Sequence, residues 1–138
     1  MTTRSLFFLV AAGVLLAASL LVLSAFNRPD PITRALAVEV DRSEADLTRS
    51  GVARLEVMSP SHFPAGTAAA YLTDASGNEQ VLRVANWPSS IPELAITCQD
   101  GRCHASATAV RGQASPESMR VQAVRVIDLA LSRAKAAS

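Results

Sequence analysis

Two cysteines and a histidine fall within seven residues, CQDGRCH (98–104), the densest set of chemically capable side chains in the chain. An even pair of cysteines at close spacing can close a disulfide, cycle as a dithiol, or supply sulfur ligands to zinc. Each chemistry asks something different of the surrounding residues. A dithiol exchange pair draws its reactivity from C-x-x-C spacing and a helix start that lowers a thiol pKa. Here the spacing is C-x4-C, and no helical pattern follows Cys98. Zinc needs a fourth ligand, and His62 is the one remaining histidine. A disulfide needs only that the two side chains meet.

The residues between the cysteines arrange that meeting. Asp100-Gly101 is a strong two-residue hairpin signal, because a type I′ turn needs positive φ at both central positions. With that dipeptide at the tip, Gln99 faces Arg102. Cys98 then faces Cys103 at a non-hydrogen-bonded position, where Cα atoms approach to about 4.5 Å. The same register sets Ile96 against Ala105 and Leu94 against Ala107 on the sulfur face. It sets Thr97 against His104 and Glu93 against Thr108 on the other. A one-residue slip would destroy that sorting of apolar from polar. The sequence therefore predicts a hairpin closed by Cys98 and Cys103, turning at Asp100 and Gly101. No catalytic residue, cofactor or metal is expected.

The run Cys98 to His104 also resembles the longer-spaced haem attachment loop of some multihaem c-type cytochromes. The resemblance covers those seven residues. It implies a covalently held haem, for which Met119 is a candidate second axial ligand. A redox or electron-transfer role for Cys98 and Cys103 is thus the alternative to a structural one.

Other candidates are weaker. His62, in the proline-rich loop SPSHFP, has no nucleophile or orienting carboxylate signalled beside it. Phe63-Pro64 and Trp87-Pro88 could form an aromatic patch for a partner, although such rings more often plug the ends of a small sheet. Asp41, Glu44 and Asp46 form a small acidic cluster, expected as a solvated loop. No phosphate loop, EF-hand or nucleophile elbow is present.

The elements that must hold the hairpin follow from periodicity. Alternation predicts strands over ALAVEV (35–40), VARLEV (52–57), TAAAYLT (67–73) and EQVLRVA (79–85), besides the two arms of the hairpin. Between the first two strands, 41–51 reads as a turn of helix or a wide loop, with Ser43 as its cap. The C-terminal stretch 115–138 reads as a helix capped by Ser115, with Pro116 at its first position. Its apolar stripe is expected at Val121, Val124, Ile127 and Leu131, widened by Val126 and Leu129. The expected fold class is α+β: a small antiparallel sheet of about six strands with this helix packed on it.

Ahead of the domain, residues 5–26 carry no charge and no proline. Leu6 to Phe26 as a helix would extend about 31 Å, close to the roughly 30 Å of a bilayer core. The apolar run is longer than a signal peptide's, and its nearest cleavage sites are poor. A retained single membrane span is therefore expected, with residues 1–4 cytoplasmic, 27–33 a linker and 34–138 an exported domain. Gly13 and Ala17, four apart, would let another membrane helix approach closely.

Twelve arginines against one lysine, with abundant alanine, suit a GC-rich bacterial genome. Cysteine usage suits an oxidising compartment, so the bacterial inner membrane with the domain in the periplasm is expected. Past residue 28, eleven basic residues meet twelve acidic ones and no basic stripe appears, which leaves nucleic-acid binding without support. These features together lead to a non-catalytic accessory or assembly subunit, with other membrane protein subunits as partners. A periplasmic binding or chaperone module is a further alternative.

Overall fold

The structure, a computed structural model, describes residues 30–60 and 62–137. Seven elements follow in order: α1 (Pro31–Arg49), β1 (Val52–Met58), β2 (Thr67–Asp74), β3 (Glu79–Ala85), β4 (Glu93–Gln99), β5 (Arg102–Thr108) and α2 (Pro116–Ala137). All strand pairs are antiparallel, and the sheet order is β3-β2-β1-β4-β5. The fold is α+β, as the periodicity predicts, with five strands among the described residues instead of six.

The missing strand is the largest correction. Residues 35–40 are not extended; they lie inside α1, which begins at Pro31, within the stretch expected to be a linker. Asp30 caps the helix, its Oδ1 accepting the amide of Thr33 at 2.7 Å, and Pro31 occupies a first-turn position. That backbone hydrogen bond holds the Asp30 carboxyl below the usual aspartate range. The stabilisation it gives is therefore present above that range and fades as pH falls through the lowered value. Leu36, Val40 and Leu47 are fully buried at helical spacing, while Val38 is 47% exposed. Ser43, expected as a cap, sits in mid-helix.

Cross-strand registers sort the sheet into two faces. On the inner face one row runs Leu82, Ala70, Val57, Leu94, Ala107, and the next runs Gln80, Leu72, Leu55, Ile96, Ala105. Both helices cover this face and pack against each other, α1 lying over β5, β4 and β1. A bulge in β1 between Val52 and Arg54 adjusts the register where the strand leaves the α1 turn.

Helix α2 begins where expected, with Ser115 Oγ accepting the amide of Ser118 at 3.1 Å. Of its expected stripe, Val126 and Ile127 are in the core and Leu129 and Leu131 pack against it, whereas Val121 and Val124 are exposed and Met119, Ala123 and Ala130 are buried instead. The core side of the helix is thus turned away from Val121 and Val124 towards Met119, Ala123 and Ala130, which share its helical spacing.

The seven-residue connection from β3 to β4 must cross the ends of β2 and β1, three strand spacings or about 14 Å. Backbone bonds tie it to its surroundings: the Trp87 amide donates to Gly66 O at 2.8 Å, the Ser59 amide to Pro92 O at 3.1 Å and the Val110 amide to Ser90 O at 2.8 Å. Within it, Trp87 Nε1 donates to Ile91 O at 2.6 Å. Asn86 accommodates the bend with φ 57°.

Among the described residues no helix is long and apolar enough to cross a membrane. The span expected at 5–26, with Gly13 and Ala17, lies outside the described residues.

Candidate functional site

The hairpin forms in the register read from the sequence. Cys98 pairs with Cys103, Gln99 with Arg102, Thr97 with His104, Ile96 with Ala105, and so on to Glu93 with Thr108. Asp100 and Gly101 take φ of 54° and 77°, the positive values a type I′ turn requires. The two sulfurs lie at disulfide distance, 2.08 Å, with the Cα atoms 4.0 Å apart. Both cysteines are on the buried face, Cys98 at 9% and Cys103 at 5% exposure.

Besides the pairing of β4 with β1, one side-chain hydrogen bond ties the outer arm of the hairpin to α1. The Cys103 amide, turned away from β4 at its non-hydrogen-bonded position, donates to Glu44 Oε2 at 2.9 Å. Glu44 stands on α1, 59 residues earlier. It had been expected in a solvated acidic loop; once residues 31–49 are helical, it reaches an edge amide that would otherwise face solvent. A helical reading of that segment was the one signal that could have found it. Asp46 is also in α1, paired with Arg49 at 3.0 Å on the surface. Glu39, buried to 4% exposure and reached by Arg42 at 3.5 Å, was likewise not singled out.

The histidines do not join the cysteines. His104 is exposed on the outer sheet face opposite Thr97, and His62 is exposed in its loop, its ring edge-on to Phe63 at 4.9 Å. Met119 is fully buried on α2. No group of three or more histidine, cysteine or acidic side chains among the described residues is placed to hold a metal ion. Of the two aromatic candidates, Trp87 is buried at 2% exposure and plugs the sheet end, while Phe63 is half-buried.

A cleft of about 200 Å³ opens between the β2–β3 turn and the end of α2, lined by Gly51, Leu72, Asp74, Asn78, Gln80 and Ala134 among others. Its carboxylate is already engaged. Asp74 accepts the amides of Ser76 and Asn78, each at 2.9 Å, and the backbone bond from Asn78 chiefly holds its pKa low.

The outer sheet face is uncovered among the described residues. Its middle row is Val81, Tyr71, Glu56, Ala95, Ser106, flanked by Arg54 and Met58 on β1. Arg54 and Glu56 pair on this face at 2.7 Å.

The hairpin geometry makes a direct prediction. Closing so short a loop stabilises the domain by about 2 kcal/mol. Reduction should lower the unfolding free energy by that amount in a denaturant titration, and the untreated chain should take up no thiol reagent. Uptake of two equivalents without reduction would mean the sulfurs are not joined.

Compared with known proteins, the chain matches no protein-family model, no curated protein and no solved structure.

Proposed function

We propose that this protein is a non-catalytic accessory or assembly subunit of a larger membrane complex, held in a bacterial inner membrane by residues 5–26 with its domain in the periplasm. One observation carries the reading: Asp30 caps the first helix only four residues past Phe26, the last residue of the apolar run. A span ending there would hold the domain close to the bilayer surface with almost no tether. A body so placed is suited to contact neighbours in the same membrane, and its open outer face is available to them. The cysteine pair, buried and clasped by Glu44, serves in this reading to hold the hairpin in shape.

The test is extraction and co-purification of the full chain. The expected result is a protein with its N-terminus intact by mass, resistant to high-salt and alkaline washes, that co-purifies stoichiometrically with other membrane proteins in mild detergent. A mature chain starting near residue 25, or one that never carries a partner at any detergent level, would overturn the proposal. A Soret band in the purified protein would replace it with the electron-transfer alternative.

A further inference from the structure

The sheet has two edge strands, and they are finished differently. On β5 the outward amide of Cys103 is taken by Glu44. On β3 only the end is closed: Arg125 of α2 donates to the carbonyls of Ala85 and Asn86. Between that clasp and the Asp74–Asn78 turn, the backbone of Glu79–Arg83 pairs with β2 on one side and has no strand on the other among the described residues. Its outer-face side chains are Glu79, Val81 and Arg83, all exposed. Val81, at 60%, is the most exposed large apolar side chain described. Neither Glu79 nor Arg83 has an ionic partner among the described residues.

We propose that this edge docks a second copy of the same chain, β3 against β3, antiparallel about a two-fold axis through Val81. The order of charges selects both the occupant and the register. With Val81 opposite its counterpart, Glu79 faces Arg83 of the second copy, and Arg83 faces its Glu79. Opposite charges directly across antiparallel strands attract, and the exposed valine is covered in the same register. Gln80 then faces Leu82 on the inner side. The nearest registers that keep the two faces aligned set Glu79 or Arg83 against Val81 and lose both ion pairs. An isologous contact needs such a self-complementary patch. An edge guarded against association usually carries charge that repels or disrupts pairing, whereas this one carries an acid and a base placed symmetrically about an apolar centre. The outer side of β5 offers no such match, since Arg102, His104, Ser106 and Thr108 include no acid. The axis stands perpendicular to the sheet, so the two open faces join into one ten-stranded surface with all four helices on the other side.

Charge reversal tests this on the purified full chain in mild detergent, by sedimentation or light scattering across a concentration series. The wild type is expected to be dimeric. Glu79→Arg and Arg83→Glu should each weaken self-association at least about ten-fold, because either change turns both ion pairs repulsive. Mixing those two variants should restore a dimer of one chain of each, and the double variant should dimerise like the wild type. Val81→Cys should cross-link to itself on mild oxidation. A monomeric wild type, single reversals that leave the dimer intact, or a mixture that fails to associate would each defeat the proposal. It stands apart from the accessory-subunit reading: a chain that co-purifies with other subunits as a monomer would defeat this proposal and leave that one intact.

Discussion

Replacing Leu36 by alanine is expected to cost the domain about 2–5 kcal/mol, while Val38→Ala should cost under about 0.5 kcal/mol. The two residues lie on one face if 35–40 is a strand and on different faces if it is a helix. In the structure Leu36 is fully buried beneath α1 with Val40 and Leu47, and Val38 is 47% exposed. A small domain's whole stability is about 5–15 kcal/mol, so the Leu36 variant should show a much lower midpoint in a urea titration followed by circular dichroism. Equal losses from the two substitutions would return residues 35–40 to the sheet.

Trp87→Ala should be at least as damaging, at about 3–5 kcal/mol. The ring is 2% exposed, and its Nε1 donates to the Ile91 carbonyl at 2.6 Å. Removing it takes the plug from the crossover and strands a buried acceptor together. Trp87→Phe separates the two effects. It keeps most of the apolar volume and loses the donor, for about 1–3 kcal/mol from the unsatisfied carbonyl. Trp87 is the sole tryptophan, so its fluorescence follows the wild-type transition directly. If the alanine variant unfolds at the wild-type denaturant concentration, the crossover is held by its backbone bonds alone.

How far the molecule could be read from its residues depended on whether a signal was local. The hairpin was legible in full: Asp100-Gly101 fixes the turn, and period-2 alternation on both arms fixes the register, so every pair from Glu93–Thr108 to Gln99–Arg102 follows from it. The start of α2 was legible for the same reason, since Ser115 and Pro116 act within one turn. The first helix was not. Leu36, Val38 and Val40 alternate over six residues, and Leu36 and Val40 are also four apart, so a short window fits either period. Asp30 and Pro31 are the cap and first-turn pair that decide for the helix, but beside Pro29 they also fit a proline-marked linker. The buried face of α2 was legible in part: Val126, Ile127, Leu129 and Leu131 are large and apolar, whereas Ala123 and Ala130 carry little periodic signal, and Val121 and Val124 carry it on the exposed side. Glu44 needed a helical reading of 31–49 to be seen at all, and even that reading would not name its partner amide, 59 residues away.

That clasp has a consequence for how the chain acquires its shape during synthesis. The first described element, α1, rests on β5, the last strand of the sheet to be made. Until the hairpin and α2 have left the ribosome, Leu36, Val40 and Leu47 lack most of the surface that covers them, and the nascent chain carries their apolar side chains exposed. Non-local closure of this kind slows folding, so chains halted before the hairpin should be the forms most exposed to proteases and to association with one another.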